Sequence, residues 1–279
     1  MQILLNTIML EPKRWHSPKS ITVPLIKLLP DIKKAGFSEL EIWGYHIWNM
    51  KEKEISSLIE ESRLRNMVVP SVGSYLTEQG GSKREGIVNV AKKYFSICEK
   101  LKSKRLRLFY GSKNFEESSQ DYLQFIDKVF EETFKMGQDK GITVMPEMHE
   151  GTVIGSIEGL RRVLERWGKT PDFGVVYQPY EFKTELALEA LDAASGHIQS
   201  VHLQNRHNAH FVALAEGDVD YRRVLKKLAI SSYDGPFVLE FTAGIIPSFI
   251  EDFDYRQVLS SAARDRNWLE STWKEVSNE

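Results

Sequence analysis

The feature that most constrains this chain is a regular alternation of short strand-like runs with amphipathic stretches. Eight apolar runs have the composition of strands, near residues 3–6, 39–43, 67–72, 105–110, 142–147, 173–178, 198–203 and 236–241. Between them, stretches with apolar positions at three- and four-residue spacing predict helices at 20–34, 50–65, 82–102, 118–140, 156–167, 184–194 and 221–229. Strands that alternate with helices pair in parallel, and eight such units predict a closed (β/α)8 barrel, the TIM barrel α/β fold.

Chain length and local punctuation agree with this fold. The 279 residues exceed an ordinary domain but approach the roughly 250 typical of an eight-fold barrel, so residues 1–279 are predicted to form a single domain. Gly36, Gly141 and Gly196 each fall where a helix ends and a strand is about to begin, as a left-handed cap requires. Ser156 precedes a helical run and is predicted to be its N-cap.

Four of the predicted strands end on a polar side chain: Glu147, Gln178, His202 and Glu240. A parallel barrel brings the carboxyl ends of its strands to one rim, where barrel enzymes keep their chemistry. A carboxylate at the end of a buried strand is costly unless it meets a cation, hydrogen-bond donors or water. Two carboxylates, an imidazole and an amide at one rim suit a single divalent metal, and this mixture fits Mn, Mg, Co or Zn without choosing among them.

Four further residues near strand ends are candidates for substrate contacts: Glu41, His46, His149 and Arg206. Glu41 and His46 lie among aromatic residues that could form an apolar wall for a sugar face, but they fit surface groups or internal hydrogen-bond partners equally well. Arg206 could clamp a hydroxyl or an acidic group of a substrate, or lie solvated in a loop. The polar segment 207–210 is predicted to be an active-site loop rather than a second metal site.

Composition limits the class of protein. Hydrophobic residues make up 42% and charged residues 27%, with a formal charge of −2, which is typical of a globular chain with a sizeable core. Lys and Arg are scattered, so no nucleic-acid partner is expected. The first residues contain no basic leader and far fewer than the ~18 apolar residues of a membrane span, so we expect a cytoplasmic protein that does not enter a membrane. Assembly into a homo-oligomer is compatible with the sequence.

Several segments together carry a resemblance to a known superfamily. They are residues 39–46, which include Glu41 and His46; residues 146–152, which include Glu147 and His149; residues 201–203 around His202; and residues 215–221 leading to 235–240, which end on Glu240. Over nearly its whole length the chain resembles the xylose isomerase-like TIM barrel superfamily, in its sugar phosphate isomerase/epimerase branch.

The resemblance implies both a metal site and a reaction. In that superfamily a Glu, an Asp, a His and a second Glu bind one divalent metal, and the two glutamates move protons on either side of the substrate carbon. Glu147, His202 and Glu240 match three of these positions as ligands, and the two glutamates match the catalytic pair. The aspartate position holds Gln178, whose amide oxygen can bind a cation but carries no charge.

The expected activity is therefore isomerisation or epimerisation of a keto sugar or related polyol, a small-molecule substrate, through an enediolate. Metal-assisted dehydration or lyase chemistry on a keto sugar or keto cyclitol uses the same first step and remains an alternative. A non-catalytic barrel that serves as a subunit of a larger assembly is a second alternative, because Gln178 replaces an acid. An abasic-site endonuclease is disfavoured, because seven histidines are few for the several metals of such enzymes and the charge of −2 does not suit DNA.

Overall fold

Eight parallel strands form a barrel that is hydrogen-bonded throughout except at one weakly bridged seam. The computed structural model describes residues 1–245 and 253–278. The barrel strands are β1 (Ile3–Asn6), β2 (Glu39–Trp43), β3 (Val68–Gly73), β4 (Arg105–Leu108), β5 (Thr143–Pro146), β6 (Val175–Tyr177), β7 (Ile198–Leu203) and β10 (Phe237–Leu239). They pair in the order β5-β4-β3-β2-β1-β10-β7-β6. Single parallel bridges, Val144–Phe173 and Glu147–Val176, join β5 to β6 and complete the circuit.

Helices cover the outside of the barrel. In the described part of the chain they are α1 (Leu25–Lys34), α2 (Tyr45–Trp48), α3 (Glu52–Leu64), α4 (Leu76–Gly80), α5 (Arg84–Leu101), α6 (Gln120–Lys140), α7 (Ile157–Trp167), α8 (Thr184–Ala193), α9 (Tyr221–Ile230) and α10 (Tyr255–Val276). Two short 3-10 helices, Thr7–Leu10 and Phe115–Glu117, lie in the loops. The TIM barrel prediction is confirmed, and all seven predicted helices are present within a few residues of their predicted bounds. The helices α2, α4 and α10 had not been predicted.

The connection that contains residues 207–210, predicted to be an active-site loop, is folded into a hairpin; its part in an active site stays a prediction. Strands β8 (Asn205–His207) and β9 (His210–Val212) form an antiparallel hairpin directly after β7. Its two turn residues, Asn208 and Ala209, both have positive φ values, +48° and +64°. Positive φ at both central residues is the geometry of the two-residue turns that match strand twist. The polar segment therefore forms the turn of a hairpin in the connection that follows β7.

The predicted helix boundaries are confirmed where punctuation residues mark them. The hydroxyl of Ser156 accepts a hydrogen bond from the backbone N–H of Gly159 at 3.2 Å, so Ser156 is the N-cap of α7. Gly141 ends α6 in the left-handed region, with φ +61°. Ser156 thus marks where the chain enters α7, and Gly141 marks where it leaves α6 toward β5. No helix among residues 1–245 and 253–278 is long and apolar enough to cross a membrane.

Close packing between α6 and β5 makes one substitution informative. A Cβ atom at Gly137 would lie 2.6 Å from Cγ2 of Val144 and 2.7 Å from the carbonyl oxygen of Ile142. Gly→Ala in a helix normally stabilises by about 1 kcal/mol. We expect Gly137→Ala instead to destabilise by about 1–3 kcal/mol, because overpacking forces the helix away from the strand. Urea unfolding measures the difference, and Gln124→Ala on the exposed face of α6 is the control, with a change within about 0.5 kcal/mol. A stabilised Gly137→Ala variant would contradict this packing.

Candidate functional site

The four residues predicted at the rim come together at the carboxyl ends of their strands. Glu147 follows β5, Gln178 follows β6, Glu240 follows β10, and His202 is the second-last residue of β7. Nδ1 of His202 lies 3.5 Å from Oε1 of Glu147 and 3.6 Å from Oε2 of Glu240. All four side chains are buried. The structure thus encloses a cluster of charged and polar groups within the mouth of an apolar barrel.

Glu41 holds the other side of the imidazole. Its Oε1 lies 3.0 Å from Nε2 of His202 and accepts a hydrogen bond from Nδ2 of Asn6 at 2.9 Å. Its Oε2 accepts from the hydroxyl of Ser71 at 2.6 Å. Because Asn6 and Ser71 extend from the neighbouring strands β1 and β3, Glu41 is fixed from both sides. The carboxylate therefore orients His202 with Nδ1 toward Glu147 and Glu240, which is how outer carboxylates commonly orient a metal-binding histidine.

Arg107 also belongs to the cluster. It lies in β4 with only 1% of its surface exposed, and its Nε is 2.8 Å from Oε2 of Glu147. Its Nη2 is 3.9 Å from Oε1 of Glu240. Its guanidinium carbon lies 5.2 Å and 4.8 Å from the ring centroids of Tyr75 and Phe109. A permanent positive charge therefore sits beside both glutamates.

Two amides complete the enclosure. The inward polar atom of the Gln178 amide lies 3.1 Å from Oε1 of Glu147, 2.9 Å from Oε2 of Glu240 and 2.9 Å from Nε2 of Gln204. With its nitrogen inward, Gln178 donates to both carboxylates. With its oxygen inward, it accepts from Gln204, which also donates to Oε2 of Glu240 at 3.0 Å. Both orientations leave Gln178 packed against the two glutamates.

The enclosed charges set the protonation of the cluster. Burial alone would raise the pKa of Glu147, but Arg107 and His202 outweigh it and lower this pKa to about 2. Burial likewise opposes the shift at Glu41, where His202 and Arg107 hold the pKa below its ordinary value. Burial would lower the pKa of His202, yet the carboxylates of Glu41, Glu147 and Glu240 raise it well above the usual value. At neutral pH, Glu147 and Glu41 are therefore carboxylates that face cationic partners.

A cleft of about 630 Å³ opens next to this cluster. Met148, His149, Gln178 and Arg206 are among the residues that line it. The guanidinium carbon of Arg206 lies between two rings, 4.4 Å from the centroid of Phe182 and 4.6 Å from that of Phe211, and burial lowers its pKa. The Nε atom of Arg206 has no hydrogen-bond partner among the described residues. His149 packs its ring against that of Phe109 with centroids 4.8 Å apart.

His46 does not join the cluster. It lies in α2, where its Nδ1 is 2.9 Å from the hydroxyl of Thr7 and its ring packs edge-on against Trp43. Burial lowers its pKa to about 3, so the imidazole is neutral. Its role as a substrate contact stays a prediction.

The donor set suits a divalent metal in several respects. Glu147, His202 and Glu240 each offer a ligand atom, these atoms lie within 4.8 Å of one another, and the three residues can hold a metal ion. Nδ1 of His202 and Oε2 of Glu147 are buried without a regular hydrogen bond within the described part of the chain, although Oε2 lies 2.8 Å from Nε of Arg107; a buried polar atom without a hydrogen bond is a candidate ligand. Carboxylate and imidazole donors are compatible with Mn, Mg, Co and Zn.

Sequence reasoning missed four members of the cluster: Asn6, Ser71, Arg107 and Gln204. One signal could have found Arg107. In Arg105-Leu106-Arg107-Leu108 charged residues alternate with leucines along a predicted barrel strand, so both arginines share one face. Alternate side chains of a barrel strand point into the barrel and out toward the helices, so the two arginines or the two leucines have to lie inside the barrel. Gln204 lies just past β7 and Ser71 inside β3, where nothing in the local pattern marks them.

Comparisons with solved structures support the same architecture. The probable 3-DHS dehydratase AsbF from Bacillus anthracis, involved in petrobactin synthesis, superposes with a TM-score of 0.74 at 15% identity, over 96% of this chain and 99% of that one. A xylose isomerase-like TIM barrel protein from Mycobacterium smegmatis, in complex with magnesium, gives 0.74 at 12% identity, over 99% and 97%. D-psicose 3-epimerase from Clostridium cellulolyticum, with D-tagatose, gives 0.72 at 14% identity, over 98% and 99%.

These structural likenesses show the fold alone, because the identities are low. No curated protein matches the sequence. The family model described as xylose isomerase-like TIM barrel matches residues 29–271, which is most of the chain. The chain therefore belongs to the xylose isomerase-like TIM barrel family.

Proposed function

We propose that this protein is an isomerase or epimerase that moves a proton at the carbon next to the carbonyl of a keto sugar or related polyol. The observation that carries the proposal is the pair of enclosed carboxylates, Glu147 and Glu240, which both approach Nδ1 of His202 beside a cleft. Two bases near one carbon allow a proton to be taken by one and returned by the other. Return to the opposite face gives an epimer, and return to the neighbouring carbon gives an aldose–ketose isomer.

Each residue of the cluster has a place in this reaction. Glu147, ionised because its pKa is lowered to about 2, can accept the α-proton without first losing one of its own. Glu240, the second carboxylate near Nδ1 of His202, would return a proton to the enediolate. Glu41 keeps His202 from turning. When a divalent metal is bound by Glu147, His202 and Glu240, with the amide oxygen of Gln178, it supplies polarisation of the carbonyl and its neighbouring hydroxyl.

Gln178 separates the cleft from the cluster. It lines the cleft and also contacts both glutamates, which are themselves buried. A substrate that reaches the glutamates has to bind against this amide or turn it aside. Catalytic contacts that tighten only when substrate binds are common in ligand-free enzymes.

The charges of the cleft favour an uncharged substrate. Four carboxylates line it: Glu116, Glu150, Glu181 and Asp218. Arg206 is the one Lys or Arg among the described lining residues. A phosphate dianion would meet this excess of negative charge, whereas hydroxyl groups can donate to the carboxylates and accept from the guanidinium of Arg206. We therefore infer a keto sugar or polyol without a phosphate group.

Two other outcomes are separated by experiment. Loss of a hydroxyl after the same proton abstraction would make the protein a dehydratase, as the name of the Bacillus anthracis neighbour suggests for that protein. A non-catalytic barrel is favoured by Gln178, which gives both glutamates a protein partner. Screening neutral ketohexoses, ketopentoses and keto cyclitols in D2O, with added Mn²⁺ or Mg²⁺, identifies an isomerase by α-deuterium exchange and a dehydratase by a new enone absorbance. A non-catalytic barrel gives neither.

The two-base mechanism predicts equal dependence on both glutamates. Glu147→Gln and Glu240→Gln should each lower α-proton exchange by about 10²–10⁴-fold, because an amide can offer an oxygen ligand but cannot act as a base. Exchange is measured by NMR at saturating Mn²⁺, with folding checked by circular dichroism. Glu132→Gln, on the outer face of α6, is the control and should exchange like the wild type. Wild-type exchange in both cluster variants would disprove the mechanism.

The lining charges predict a preference between substrates of one size. A ketohexose should show a kcat/KM at least about tenfold higher than its 6-phosphate, since like charges brought together in an interface cost several kcal/mol and tenfold requires only about 1.4 kcal/mol. The ratio of the two kcat/KM values should shrink as salt is raised from 20 to 500 mM, because the lining carboxylates are largely exposed and salt screens exposed charges. The Debye length is about 10 Å at 0.1 M. A faster reaction with the phosphate ester would contradict the assignment of an uncharged substrate.

A further inference from the structure

The cluster contains a protein cation, the guanidinium of Arg107, which packs against a glycine on the neighbouring strand. Arg107 shares its register position with Gly73 on the neighbouring strand β3. A Cβ atom at Gly73 would lie 3.3 Å from the guanidinium carbon of Arg107, which is tighter than most real contacts of a Cβ atom. The rings of Tyr75 and Phe109 lie near the guanidinium. The guanidinium is therefore held in place by packing against Gly73, Tyr75 and Phe109.

This guanidinium acts on the same atoms that a metal would use. Nε of Arg107 is 2.8 Å from Oε2 of Glu147 and Nη2 is 3.9 Å from Oε1 of Glu240. A divalent cation between the glutamates and His202 would share both carboxylates with a fixed positive charge. Such a cation would be repelled by the guanidinium, and this interior screens the repulsion only weakly.

Gln178 acts in the same direction. Where an aspartate would add a negative charge to the ligand set, the amide adds none, and with its nitrogen inward it donates to both Glu147 and Glu240. Without a metal, the two carboxylates thus already have a guanidinium and an amide as partners. Buried carboxylates with such partners avoid most of the penalty of an unpaired buried charge.

We propose that Arg107 is an internal counter-ion that stabilises the metal-free site and lowers its affinity for divalent cations. The fold then does not depend on metal, and a cation binds loosely and exchanges freely. The inference rests on the metal ligands named for the proposed function, but not on the reaction or its substrate.

Calorimetric titration with Mn²⁺ tests the effect on affinity. Arg107→Met removes the charge and all donors at similar length, and should tighten Mn²⁺ binding by about tenfold or more, the size of change expected from a residue that contacts a ligand. Gln178→Asp should also tighten binding, because it adds a charged oxygen. Arg105→Met is the matched control: it lies on the same face of the same strand, two residues toward the other end of the barrel, and should leave the affinity unchanged. An Arg107→Met variant that binds Mn²⁺ no tighter than the wild type overturns the proposal.

Thermal unfolding supplies a readout that does not depend on activity. The wild type should show the same Tm in EDTA and in Mn²⁺ to within a few degrees. Arg107→Met should lose roughly 10 °C in EDTA, because it leaves carboxylates buried without a counter-ion, and should recover most of that loss in Mn²⁺. A wild-type Tm that falls in EDTA as far as that of the variant contradicts the proposal.

A second neutral variant keeps the test decisive if Arg107→Met fails to fold. Arg107→Gln retains an amide near the glutamates. If either variant folds only with Mn²⁺, the metal has replaced the guanidinium as counter-ion, which supports the proposal. If Mn²⁺ restores neither, Arg107 is needed for packing and the proposal is wrong. Since these measurements use no substrate, a failure of the sugar-exchange assay leaves their result standing.

Discussion

The interaction on which the site depends is charge compensation inside the mouth of the barrel. Three carboxylates, Glu41, Glu147 and Glu240, are buried where water is largely excluded. An ionised carboxylate in such an interior is tolerated only with paired charges and hydrogen bonds. Arg107 and His202 face these carboxylates as their cationic partners.

The imidazole links this charge balance to metal binding. The carboxylates of Glu41, Glu147 and Glu240 raise the pKa of His202 well above the usual value, which favours the protonated ring. Nε2 lies 3.0 Å from Glu41, and Nδ1 lies 3.5 Å from Glu147 and 3.6 Å from Glu240. A metal can take Nδ1 as a ligand only when that atom carries no proton. A proton on Nδ1 and the guanidinium of Arg107 therefore both oppose the binding of a cation.

Much of the fold could be predicted, because it follows from local patterns. Alternating periods of two and 3.6 residues located the eight strands, and strand-end polarity alone located Glu147, Gln178, His202 and Glu240 at one rim. The rest depends on tertiary contacts that leave no local trace. The hairpin at Asn208 lacks the usual glycine of its turn type, and Gln204 gains its meaning only because β6 and β10 lie on either side of β7.

Arg107 lies between these two cases, and it changes how the cluster should be understood. The alternation around it was visible in the sequence, but its partners, Glu147 on β5 and Glu240 on β10, come from strands on both sides of the barrel. Gln178, where the resemblance implies an aspartate, would taken alone weaken a metal site. The presence of Arg107 gives a physical reason for the amide at position 178. A carboxylate there would form a further ion pair with the guanidinium. The amide instead completes the hydrogen bonding of the two glutamates without adding charge. The two residues are therefore best understood as one adaptation: a ligand set that is stable with a protein cation and remains able to hold a metal.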